Sequence, residues 1–161
     1  DYLSWPVFAP VLMLLLSGVA TSAGSTGGGI KMVRMLILLK QARRELTRLV
    51  HPRAMQPVRL GNGVVDDRMI FSVLAFMLVY GATVITLSMV LLLTDLDPVT
   101  AFSAVLASVH CMGPGLGALG PSSNYAVLTD FQTWICTLAM LLGRLEILSF
   151  MALLSPAFWR R

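Results

Sequence analysis

Two stretches of this chain hold the groups most able to do chemistry, and in both the backbone matters as much as the side chains. The first is His110-Cys111-Met112-Gly113-Pro114-Gly115-Leu116-Gly117. Its glycines and proline exclude a helix, and Gly113 has the backbone freedom to turn a carbonyl toward a ligand. Carbonyl oxygens aimed at a common axis can replace the hydration shell of a cation. The second is Ala20 to Lys31, ATSAGSTGGGIK. It combines the hydroxyls of Ser22, Ser25 and Thr26 with the poor helix formers Gly24, Gly27, Gly28 and Gly29. Two charges, Arg144 and Glu146, stand apart from both within LAMLLGRLEILSF, and two positions apart they cannot share one helix face.

Nucleotide chemistry is excluded by spacing. A phosphate-binding loop needs Gly, four residues, Gly-Lys and then Ser or Thr. Gly24 and Gly29 have the first interval, but Ile30 follows and Met32 comes after Lys31. The dinucleotide pattern from Gly27 would need glycine where Met32 stands. There is no Ser-His-Asp, Cys-His or metal-ligand cluster, so an enzyme is not expected. His51 and His110 have no ligand partners at metal spacing, and Cys111 and Cys136 fall in different environments, loop and membrane.

The elements that must position these groups are membrane helices. The chain is 57% hydrophobic and only 12% charged, about half the charge of an ordinary soluble domain. It opens on Asp1 beside an apolar run, which fits a segment cut from a longer chain. Val7 to Val19 is too short to cross a bilayer alone. A signal peptide is excluded because no Lys or Arg precedes that run. Joined to Ile30–Leu49 across the glycine break, it makes one discontinuous membrane helix. Irregular backbone at membrane depth is tolerated where it lines a water-filled path or protein interior.

Met69 to Leu93 is the clearest span, and Phe131 to Phe158 is a second. Between them, Asp97-Pro98 reads as a helix start, and the dozen apolar residues to Val109 suit a re-entrant helix. The basic residues cluster from Lys31 to Arg68, and none occurs from Met69 to Gly143. That places the 51–68 linker, with a tight turn at Leu60-Gly61-Asn62-Gly63-Val64, in the cytoplasm. Without interleaved aromatics the basic cluster does not read as a nucleic-acid surface. Span, short re-entrant helix, glycine loop and span together are the plan of a potassium-channel-type pore unit. Arg144 inside the last span is costly in lipid and should face a cavity or partner. Facing a pore, it would repel cations locally and could hold acceptors in the broken loop.

AGSTGGGIKMVRMLILLKQ, RLVHPRA, TAFSAV with MGPGLG, AMLLGRLEI and LLSPAFWR, in that order, resemble the membrane subunit of bacterial Trk potassium uptake systems (TrkH and TrkG, related to KtrB). The resemblance covers essentially the whole chain. It implies an all-α integral membrane fold with four covalently linked pore units. This chain would hold the broken inner helix of the third (1–50, intramembrane loop 20–30) and the complete fourth (69–161). The fourth would comprise an outer helix 69–94, pore helix 98–109, filter loop 110–117 and inner helix 131–159.

The resemblance also implies roles. His110, Cys111, Met112 and Gly113 would fall on the fourth filter strand and bind K⁺ mainly through backbone carbonyls. Ser22, Gly24, Ser25, Thr26, Gly27, Gly28 and Gly29 would form a gate loop below the filter, and Arg144 would be a pore-facing charge. It implies channel-like K⁺ translocation at the bacterial inner membrane with no covalently bound cofactor. The implied partners are membrane lipid, the remaining pore units, a second copy in a homodimer and a cytosolic TrkA-type nucleotide-binding subunit. Relatives often carry two amides where His110-Cys111 stands, which bears on K⁺ over Na⁺ selectivity. A symporter coupling K⁺ to H⁺ or Na⁺ is the alternative, because broken helices occur there too.

Overall fold

The computed structural model describes residues 5–6, 8–20, 28–52, 57–61 and 63–145. The elements are helices α1 (Phe8–Val19) and α2 (Met32–Val50), a hairpin of β1 (Arg59–Leu60) and β2 (Gly63–Val64), then helices α3 (Asp67–Leu92), α4 (Pro98–Val109) and α5 (Asp130–Arg144). Of these, α3 is long and apolar enough to cross a membrane. Its 26 residues give a length of about 39 Å.

The centre of the fold is the short helix α4. It packs against α1, α3 and α5, and every residue from Thr100 to Val109 except Phe102 is buried. A helix buried all round must be apolar or have satisfied polar groups. Here the small residues Ala101, Ser103, Ala104, Ala107 and Ser108 let the neighbouring backbones close in. Its start is fixed by Asp97, whose carboxylate accepts from the backbone N–H groups of Val99 and Thr100, with Pro98 in the first turn. The main core joins Leu14 of α1, Phe76, Tyr80, Val84, Leu87 and Leu91 of α3, and Cys136, Ala139 and Leu142 of α5 to this helix.

α5 begins with a full capping box. Thr129 accepts from the Gln132 backbone, and the Gln132 side chain accepts from the Thr129 N–H. The Gln132 amide also donates to the Thr94 hydroxyl at 2.8 Å, tying the start of α5 to the end of α3. The expected second span is described as far as Leu145; Glu146 and the rest of Phe131–Phe158 lie outside the described residues.

At the opposite end of α3 sits a second, smaller core. Ile37 of α2, Val58 and Val65 flanking the hairpin, and Ile70 and Val73 of α3 are all buried together. The 51–68 linker is therefore anchored through Val58 and Val65, while most of its other described residues are exposed. The hairpin pairs Arg59 with Val64 and Leu60 with Gly63, and Arg44 of α2 bridges to Asp67 at 3.1 Å.

Candidate functional site

The ascending loop after α4 is held by the face of the helix it leaves. Thr100, Ser103 and Ala107 lie at i, i+3 and i+7, on one side. The Ser103 hydroxyl accepts from the Leu116 N–H at 2.8 Å, and the Thr100 hydroxyl accepts from the Ala118 N–H at 3.3 Å. The Ala107 carbonyl accepts from the Met112 N–H at 2.9 Å. A polar stripe on an otherwise apolar helix thus takes up the donors of a chain that has left regular structure.

Within the loop, Cys111 has φ 54° and Gly113 has φ 99°, and Met112 between them is not left-handed. Switching hand at successive residues turns alternate peptide planes over, the backbone requirement for carbonyls that share one direction. Gly113 meets the requirement without strain, whereas Cys111 carries a side chain at a left-handed angle. Its thiol is exposed. The Gly113 carbonyl accepts from the Tyr125 hydroxyl at 2.7 Å, so Tyr125 fixes the peptide that follows Gly113.

His110 is placed differently from its neighbours. It closes α4, donating its N–H to the Leu106 carbonyl, and its side chain is buried. Ser17 of α1 donates to the Leu14 carbonyl at 2.6 Å and lies 2.9 Å from His110 Nδ1. With its proton so used, Ser17 accepts from Nδ1, which assigns the ring proton there. Nε2 then accepts from the Tyr80 hydroxyl at 2.6 Å, and the Tyr80 and His110 rings lie parallel. The imidazole is a satisfied bridge between α1, α4 and α3, and its nitrogens face protein.

The chain from Gly28 to Ile30 packs onto this bridge. The Ile30 N–H donates to the Gly18 carbonyl at 2.8 Å, so the chain re-enters beside the point where it left. A Cβ on Gly18 would lie 2.7 Å from His110 Cε1, and one on Gly29 would lie 3.3 Å from His110 Cδ2. Gly28 and Gly143 converge on a single atom. A Cβ at either position would overlap the Val109 carbonyl oxygen, at the end of α4. The C-terminus of the buried helix, where its dipole is negative, is thereby enclosed by the returning loop and α5. Arg144 follows Gly143 in the last turn of α5 and is exposed in this chain, at the level of that convergence.

Among the expected site residues, His110 to Gly113, Gly28 and Gly29 come together around the end of α4, whereas Arg144 follows Gly143 in sequence and is exposed. Ser22, Gly24, Ser25, Thr26 and Gly27 lie outside the described residues. Sequence reasoning missed Ser17, Tyr80, Thr100, Ser103, Tyr125, Gly18 and Gly143. The last two carried a signal, since glycine inside an apolar helix lowers helix stability unless close packing requires it.

A protein-family model described as TrkH, cation transport protein, matches residues 1–161. The chain is 42% identical over 162 residues to Trk system potassium uptake protein TrkG of Escherichia coli, covering 99% of this chain and 33% of that protein. It is 40% identical over 156 residues to Trk system potassium uptake protein TrkH of Salmonella typhimurium, covering 97% of this chain and 32% of that protein. The crystal structure of the potassium transporter TrkH from Vibrio parahaemolyticus matches with a TM-score of 0.89 at 40% identity, over 99% of this chain and 34% of that one. The chain spans about a third of the length of the curated relatives it matches.

Proposed function

The chain belongs to the TrkH family of cation transport proteins, and from that premise we propose that it supplies part of a potassium uptake pore in the bacterial inner membrane. Residues 69–161 form one pore unit, with α4 as pore helix and His110 to Gly113 as its filter strand. Residues 1–50 form the broken inner helix of the preceding unit, and the loop from Ser22 to Gly29 gates the path below the filter. K⁺ moves down its electrochemical gradient, coordinated mainly by backbone oxygens, and no covalent chemistry is involved. The rest of the pore comes from other units of the full-length protein, which works as a homodimer under a cytosolic TrkA-type subunit.

The observation that carries this reading is the convergence at Val109. The returning loop through Gly28 and the last helix through Gly143 meet at the carbonyl that precedes the filter strand. A gate in that position can block the path and sense the filter by contact. Arg144, one residue on, adds a positive charge where the path narrows.

The test is K⁺ or Rb⁺ flux through the full-length protein in proteoliposomes. Shortening the loop between Thr21 and Gly27 should raise basal flux and weaken regulation. Replacing Arg144 by Gln should raise single-channel cation current; removing about 1.4 kcal/mol from a barrier gives roughly tenfold. Unchanged flux and gating in both variants would remove the gate assignment. A reversal potential that shifts with pH or Na⁺ gradient would favour the coupled mechanism instead.

A further inference from the structure

We propose that the cytoplasmic end of α2 and the hairpin form a binding site for a phosphate group, filled in the membrane by an anionic phospholipid headgroup. A cavity of about 240 Å³ is lined by Lys40, Arg43 and Arg44 of α2 and by Pro57, Val58 and Arg59 at the start of the hairpin. Orientation of a membrane protein needs positive charge near the ends of its spans. It does not need two separate elements to bring that charge around one cavity. Here they do so by design of the packing. Val58 is anchored in the small core with Ile37 and Val65, its carbonyl accepts from the Val65 N–H at 2.8 Å, and the Lys40 ammonium donates to the Arg59 carbonyl.

The charge in this cavity is not locally balanced. Arg44 is paired with Asp67. Among the described residues no carboxylate lies within ion-pair distance of Lys40, Arg43 or Arg59. Gathering like charges around an unfilled space is unfavourable, and an anion removes that repulsion. Guanidinium groups match phosphate oxygens in a bidentate fork.

Its height favours a lipid source. Asp67, which pairs with Arg44, is the first residue of α3, so the cavity lies where that apolar helix begins. On α2 the exposed Leu36 and Leu39 stand one turn before Lys40 and Arg43. One face of the helix therefore passes from apolar to basic along its length, as an amphiphile with acyl chains and a phosphate would require. The site does not depend on the pore reading, because none of its residues lies at the end of α4.

The experiment uses the full-length protein in nanodiscs of phosphatidylcholine alone, of phosphatidylcholine with phosphatidylglycerol, and of phosphatidylcholine with inorganic phosphate in the buffer. The wild type should melt about 3–5 °C higher with phosphatidylglycerol and retain it in native mass spectrometry. The double variant R43Q/R59Q should lose most of both effects. R43K/R59K should keep part of them, and R48Q, whose guanidinium pairs with Glu45 and does not line the cavity, should keep all. A phosphate response lost in R43Q/R59Q without a lipid response would support the site with a soluble source. Equal melting in all three conditions, or a response the double variant leaves intact, would overturn it. Flux is measured in parallel, so loss of the lipid site and loss of the pore are separately visible.

Discussion

The chain uses glycine heavily in two regions that meet at the end of α4, for opposite reasons. In the returning loop and α5, Gly28 and Gly143 are required by proximity. Neither needs a left-handed backbone, but a Cβ on either would collide with the Val109 carbonyl. In the ascending loop, Gly113 is required by conformation. Its φ is 99°, yet no atom lies within 4 Å of the Cβ it lacks. Gly117 combines both, with φ 65° and a Cβ position that would overlap the Thr100 hydroxyl. Identical residues thus report different physics: close contact at Gly28 and Gly143, free backbone direction at Gly113.

That distinction is tested by substitutions of graded severity. Gly143→Ala should have the largest effect. The methyl group meets the Val109 carbonyl backbone and no flexible side chain, so α5 must shift at a cost of about 3 kcal/mol. Thermal melting of the full-length protein should fall by several degrees and K⁺ flux should collapse. Gly28→Ala should cost less stability, about 1–2 kcal/mol, since a loop yields more easily than a helix; altered gating with a smaller fall in melting temperature than Gly143→Ala is its expected signature. Gly113→Ala should cost about 1 kcal/mol through strain alone and should change the K⁺ to Na⁺ flux ratio more than it changes stability. Tyr125→Phe removes the hydroxyl on the Gly113 carbonyl, about 1 kcal/mol, and should move selectivity the same way. Gly81→Ala, in mid-α3 with open space around it, should be neutral or raise stability by about 0.5–1 kcal/mol. A Gly81 effect as large as that of Gly143 would break the distinction between contact-limited and ordinary glycines.

The architecture was legible because its signals are local. Asp97-Pro98 marks a helix start by capping chemistry, and the apolar run of α3 marks a span by length. The all-α membrane fold followed from these. What could not be read was every contact between distant residues. Ser17 and Tyr80 stand 93 and 30 residues from the imidazole they hold, and no spacing rule connects them. His110 shows the consequence: the sequence placed it beside Cys111 on an expected filter strand without saying where its ring goes, and the fold turns that ring toward α1 and α3. The linker shows the same limit. Its turn was readable from Gly61 and Gly63, but the core formed by Val58, Val65 and Ile37 depends on a helix that passes nearby in space only.

The most direct test of the central claim uses Cys111, the exposed thiol beside the proposed ion path, with buried Cys136 as an internal control. A positively charged methanethiosulfonate reagent is applied to the outer face of the full-length protein during K⁺ flux. Block that slows at high K⁺ and disappears in Cys111→Ser is the predicted result. Full labelling of Cys111, established by mass spectrometry, with flux unchanged would contradict the placement of His110 to Gly113 along the ion path.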